Sequence, residues 1–123
     1  MRLVAGLSVD SSAVPSGAMR RVTRVVRMVE REPGAGWALQ RLAGAADLSP
    51  YHFLRTFERV TGVTPHQYLL RLRLREAASR LARDRDKVID VSLECGFGDV
   101  SNFNRAFRAE FGVSPRVYRL RHA

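Results

Sequence analysis

The sequence is short of several things. It has one cysteine, one lysine, five prolines, nine glycines and no long hydrophobic run. Cys95 cannot close an internal disulfide and has no Cys-x-x-Cys companion, which excludes a disulfide framework and a cysteine zinc site. No stretch approaches the roughly 18 uncharged apolar residues that a spanning helix needs, and Met1 to Leu7 is too short for a signal-peptide core. The expectation is a cytoplasmic protein with no membrane association. With 46% hydrophobic and 27% charged residues the composition is globular. A length of 123 residues fits one domain, or two very small ones sharing a core, and excludes a large enzyme scaffold.

Acidic residues are also in the minority. Twenty arginines and one lysine against 12 carboxylates give a net charge of +9. Such a balance favours a polyanionic partner, nucleic acid before an anionic membrane.

Residues 1–17, with Ser8, Ser11, Ser12, Pro15, Ser16 and Gly17 and no sustained period, read as a flexible lead-in. From Ala18 to Arg31, Val22, Val25, Val26 and Val29 recur at i, i+3, i+4 and i+7, the pattern of an amphipathic helix stopped by Pro33-Gly34. Trp37 to Ala46 carries Leu39, Leu42, Ala43 and Ala46 at helical spacing. Ser49-Pro50 then supplies a capping hydroxyl and a preset φ for a helix that ends at Gly62. Thr64-Pro65-His66-Gln67 has capping-box spacing. The run Tyr68 to Arg75 alternates with period two, yet the cap before it and Glu76 to Ala82 after it predict one long helix. That helix carries Leu70, Leu74, Ala77 and Leu81 in a stripe and ends near Asp84 to Asp86. Val88 to Cys95 predicts a short helix, Asp99 caps another over Val100 to Phe111, and Ser114-Pro115 opens a last one ending near Arg121. No hairpin signal joins alternating runs, so the expected fold is all-α.

At an offset of 50 the chain repeats itself. Phe53, Arg55 and Phe57 match Phe103, Arg105 and Phe107; Gly62-Val63-Thr64-Pro65 matches Gly112-Val113-Ser114-Pro115; Tyr68 matches Tyr118. Upstream the offset is 49, so the second copy has one extra turn residue among Gly98 to Ser101. Each copy is a short helix, a tight turn and a longer helix, the order of a DNA-reading helix-turn-helix.

At 100° per residue Phe53, Phe57 and Val60 cluster within roughly 60°, leaving Tyr51, Arg55, Glu58 and Arg59 opposite. Phe103, Phe107 and Glu110 share the corresponding face of the second copy, leaving Ser101, Arg105, Arg108 and, on the flank, Asn102. Arg55 and Arg105 each carry a guanidinium fork suited to guanine O6 and N7, Asn102 or Asn104 suits adenine N6 and N7, and Tyr51 and Leu54 suit a thymine methyl. Other arginines near these helices, Arg41, Arg59, Arg71 and Arg108, are assigned to phosphates, which set register and affinity without reading sequence.

These residues resemble a known family. From Trp37 to Tyr118, and most closely in Leu48-Ser49-Pro50-Tyr51-His52-Phe53, Cys95 to Phe107 and Gly112-Val113-Ser114-Pro115, the chain is similar to the DNA-binding domain of AraC/XylS family transcription regulators. The resemblance implies about seven helices in two homeodomain-like helix-turn-helix subdomains, residues 18–63 and 86–123, joined by a linker helix over 64–85. It implies recognition helices over about 50–61 and 100–111 in adjacent major-groove turns of double-stranded DNA. The base-reading positions it implies are Tyr51, His52, Leu54 and Arg55, then Val100, Ser101, Asn102, Asn104 and Arg105. Leu54 departs from the polar residue that several relatives have there, and Asp47 stands where relatives often have Gly. The family further implies an activator that contacts RNA polymerase, and binding as a monomer is expected. A lead-in of 17 residues is too short for a small-molecule effector domain, so the expectation is a short stand-alone regulator or a truncated relative.

Plainer readings stand beside these. The phenylalanines are core by their spacing. His52, His66 and His122 lack partners at ligand spacing, so no metal or cofactor is expected. Cys95 falls where a small buried residue is wanted, and Trp37 anchors the start of its helix. Arg71, Arg73 and Arg75 are either a solvated helix face or a set of phosphate or protein contacts. No Gly-rich phosphate loop and no nucleophile with a base is present, so no catalytic residue is expected. The competing function is a protein-interaction module of the same fold, with the Leu70 to Arg75 segment as its surface.

Overall fold

A computed structural model describes residues 16–123, and most of the expected lead-in lies outside the described residues. These residues form seven helices: α1 (Ser16–Arg31), α2 (Leu39–Ala45), α3 (Pro50–Thr61), α4 (Pro65–Arg83), α5 (Val88–Glu94), α6 (Val100–Phe111) and α7 (Pro115–His122). No strand occurs among them, as the absence of hairpin signals predicts. No described helix is long and apolar enough to cross a membrane. The helix starts differ slightly from expectation. α1 begins at Ser16 and not Ala18, because small residues are tolerated in a first turn whose amides are not yet committed. α2 begins at Leu39, two residues after Trp37. Ala38 is its extended N-cap and offers no side-chain acceptor. Trp37 instead fixes the approach, donating from Nε1 to the Glu32 carbonyl at 2.7 Å.

The chain divides into two compact units, one of the described residues up to Glu32 plus Trp37–Leu69, the other of Pro33–Gly36 plus Leu70–Ala123. In the first, Val22, Val25, Val26 and Val29 bury the stripe of α1 that their spacing defines. Each such burial contributes about 1.5–3 kcal/mol relative to exposure. α1 packs against α3, where Phe53 and Phe57 are buried with their ring centroids 5.6 Å apart. Tyr68 closes this core edge-on to Phe57 and donates its hydroxyl proton to Glu30. Two arginines of α1 satisfy carbonyls left open at the end of α2: Arg21 donates to Ala46 at 2.7 Å and Arg24 to Ala45 at 3.0 Å.

The second unit is built on Leu74, Ala77 and Leu81 of α4, with Val91, Cys95, Phe103 and Phe107, while Leu70 packs against this core partly buried. Phe97, Phe103, Phe107 and Phe111 follow one another at centroid distances of 4.9, 5.5 and 4.5 Å, and Tyr118 of α7 meets Phe107 at 5.4 Å. Glu110, expected on the face of Phe103 and Phe107, is exposed instead. An unpaired buried carboxylate is costly; the stripe is extended on its other side by Phe111, half-buried against Phe107 and Tyr118. Burial also pushes the Cys95 thiol up from its ordinary value, away from the reactive thiolate. Arg119 of α7 donates to the Leu81 carbonyl at 3.1 Å and the Asp86 carbonyl at 2.7 Å, covering the end of α4.

The arginines after Leu70 do not share one environment. Arg71 and Arg75 are exposed. Arg73 turns inward and donates from Nε to the Pro33 carbonyl at 2.7 Å and from a terminal nitrogen to the Ala35 carbonyl at 2.8 Å. Neither the solvated-face reading nor the contact-surface reading holds for it, because two backbone carbonyls in the unit claim its fork. Gly96 sits at φ +99°, and a β-carbon there would lie 2.7 Å from Arg73 Nε. A β-carbon at Gly34 would lie 2.5 Å from the Glu94 carbonyl oxygen.

The two turns confirm the offset. Leu48 N–H donates to the Ala43 carbonyl and Phe97 N–H to the Ser92 carbonyl, both at 3.0 Å and 49 positions apart. Asp47, at φ +56°, takes the left-handed place of Gly96, as an aspartate can. The caps Ser49 and Asp99 are 50 apart, so the added residue is Gly98.

Candidate nucleic-acid interface

Both second helices of the repeat are fixed at their ends by local chemistry. Ser49 Oγ accepts from the His52 amide at 3.2 Å, Pro50 opens α3, and Gly62 ends it at φ +81°. Asp99 accepts from the Asn102 amide at 2.8 Å, and Gly112 ends α6 at φ +80°. Phe53 and Phe103 are fully buried. Packing of one face therefore decides which side chains the opposite face presents.

On α3 that face brings together Tyr51, His52 and Arg55, all exposed, with Glu58 and Arg59 further along. Tyr51 is 61% exposed. Its hydroxyl accepts a hydrogen bond from Arg55 at 2.8 Å, and the guanidinium lies 5.5 Å from its ring centroid. The His52 ring lies with Nδ1 2.9 Å from Ser49 Oγ. Leu54 is half-buried and lines a shallow apolar cavity with Trp37, Leu39, Leu42, Pro65 and Leu69.

On α6 the outward side chains are Ser101, Asn102, Asn104, Arg105 and Arg108, all exposed, with Val100 half-buried in the first turn. Three of the residues here form a chain of hydrogen bonds. Asn102 Nδ2 donates to Asp99 Oδ2 at 3.0 Å, and Arg105 donates to Asn102 Oδ1. Asn104 makes no side-chain hydrogen bond among the described residues. The reading of Asp99 as a cap alone missed this second role, although the Asp-x-x-Asn spacing was visible.

The arginines assigned to phosphates are dispersed. Arg59 lies in the last turn of α3, Arg71 on α4 and Arg108 in the last turn of α6, all exposed. Arg41 on α2 is exposed and lies 4.3 Å from the Trp37 ring centroid. Arg21, Arg24, Arg73 and Arg119 are committed to backbone carbonyls.

Residues 42–121 match the family model described as a helix-turn-helix domain. A transcriptional regulator from Chromobacterium violaceum, described as having an AraC-type DNA-binding domain, superposes with a TM-score of 0.78. It is 26% identical, over 88% of this chain and 96% of that one. The chain belongs to the AraC-type helix-turn-helix family. Among its AraC-type relatives is the RCS-specific HTH-type transcriptional activator RclR of Escherichia coli, 35% identical over 82% of this chain and 36% of that protein. The chain spans about a third of the length of the curated relatives it matches. A further structural neighbour is the DNA-binding domain of AdpA, a global transcriptional factor solved in complex with a target DNA. Its TM-score is 0.77 and it is 29% identical, over 80% of this chain and 89% of that one. AraC-type membership fits the all-helical, helix-turn-helix fold of the described residues.

Proposed function

We propose that this AraC-type chain is a sequence-specific regulator of transcription that binds double-stranded DNA as a monomer. α3 and α6 enter adjacent major-groove turns and read an asymmetric site of two elements about 10 bp apart. The observation that carries this reading is the matched pair Arg55 and Arg105. Each is exposed on its helix opposite a buried phenylalanine, and each is held by a side chain one turn earlier. An oriented guanidinium fork is the group that best discriminates guanine O6 and N7. Tyr51, His52 and Leu54 flank the first fork, and Val100, Ser101, Asn102 and Asn104 the second. Arg41, Arg59, Arg71 and Arg108 contact phosphates. The reading subdomains are residues 18–63 and 86–123, with 64–85 between them. Regulation is activation, through contact with RNA polymerase.

The experiment is selection of bound sequences from a random duplex pool near physiological salt, followed by titration of the winner against its scramble. One asymmetric two-box motif with at least ~10³-fold preference is the expected result. Purely salt-dependent binding without enrichment, from a folded helical protein, would refute the reading.

A further inference from the structure

The hydrogen-bond chain on α6 has only one consistent direction. Arginine offers donors alone, and an ionised aspartate offers acceptors alone. An asparagine between them must turn its Nδ2 to Asp99 and its Oδ1 to Arg105, as found. Both ends of the Asn102 amide are thereby engaged. Asp99 is tied in twice, because its other oxygen caps the Asn102 amide at 2.8 Å. The backbone beneath is pinned by Phe103, which is fully buried. Arg105 still keeps four of its five N–H groups for a ligand, enough for a bidentate contact.

From this geometry, and resting on the DNA-reading function proposed above, we infer that Asp99 and Asn102 are positioning residues that hold Arg105 as the base-discriminating fork of α6. Asn102 acts through Arg105 and does not itself read a base. Arginine carries a large rotamer entropy, and a fork already held in place loses less of it on binding. The carboxylate at the far end makes the first link charge-assisted. The asparagine left to read adenine is Asn104, whose amide has no partner among the described residues. The first copy stops one link short: Ser49 holds His52, but Arg55 is held by Tyr51.

The test measures affinity of the whole chain for the duplex selected above, for its single base-pair variants and for random duplex, alongside thermal stability. Arg105→Ala should flatten discrimination at one base pair about 5- to 150-fold. Asp99→Asn keeps an equally good helix cap but sets an amide donor against the Asn102 amide. It should leave stability nearly unchanged, raise random-duplex affinity slightly through the lost negative charge, and lower discrimination at that same base pair about 3- to 10-fold, the worth of one hydrogen bond. Asn102→Ala should act at that pair too, and Asn102→Ala combined with Arg105→Ala should lose no more than Arg105→Ala alone. Asp99→Ser, which caps but cannot hold both groups, repeats the test should Asp99→Asn destabilise α6. Discrimination lost at a different base pair in Asn102→Ala would show direct reading and overturn the inference. So would an unchanged profile in Asp99→Asn and Asn102→Ala beside a flattened one in Arg105→Ala, with DNA reading left standing. If Arg105→Ala flattens no position, the DNA-reading assignment of this helix and the positioning role fall together.

Discussion

α3 and α6 occupy matched places in a duplicated unit and differ in what holds their arginine. Both bury a phenylalanine pair, end on a left-handed glycine and put an arginine on the outer face. In α3 that arginine leans on Tyr51, a neutral and largely exposed side chain. In α6 it is the end of a chain anchored on the cap carboxylate. Farther along, Glu58 of α3 stands where α6 has Arg108. Duplication has therefore kept the phenylalanine pair and the outward arginine and varied the side chains around that arginine. Because the two faces of a helix meet different surroundings, a change on one need not disturb the other.

The largest expected effects test the shared half of that comparison. Phe53→Ala and Phe103→Ala should each cost about 3–5 kcal/mol, read by denaturant unfolding. Amide exchange should rise chiefly in the unit that has lost its ring. Equal exchange in both units would mean that they do not hold separate cores. Next come the readers. Arg55→Ala and Arg105→Ala should each cost about 1–3 kcal/mol of discrimination, at two different base pairs, and a uniform loss on specific and random duplexes would assign the residue to phosphates.

The turns extend the comparison. Gly96→Ala adds a β-carbon against Arg73 at a positive φ and should destabilise by about 1–3 kcal/mol. Asp47→Gly relieves a left-handed non-glycine and should stabilise by about 0.5 kcal/mol, so thermal melts of the two should move in opposite directions. Comparably small is Tyr51→Phe, which removes the acceptor of Arg55 and keeps the ring. A discrimination loss of about 0.5–1 kcal/mol is expected. No loss would mean that the ring alone positions Arg55.

What could be read from the sequence was what is decided within a turn or two. The caps Ser49, Asp99 and Ser114 and the Thr64–Gln67 capping box all form as their spacing foretells. The valine stripe of α1 and the leucine stripe of α4 follow from helical period. The arginines could not be sorted that way. Arg21 reaches 25 positions along the chain, Arg73 reaches 40 and Arg119 reaches 38. Nothing in the neighbouring letters separates them from Arg71 or Arg75. The outward face of each second helix was legible from helical geometry. The partner each side chain takes there was not, because several acceptors lie within reach of one long guanidinium.

The long helix α4 has an implication for how the protein is made. Its first turn delivers Tyr68 to the earlier core, and its later turns hold Leu74, Ala77 and Leu81 for the next. On a ribosome the first core can close once Leu69 has emerged. The leucine stripe behind it must then wait, uncovered, through more than 20 further residues until Phe103 and Phe107 are synthesised. A nascent chain paused between those points displays a folded unit trailing a sticky helix, the kind of species that aggregates or recruits chaperones. Slow codons or arrest within Leu81 to Phe103 would prolong that exposure.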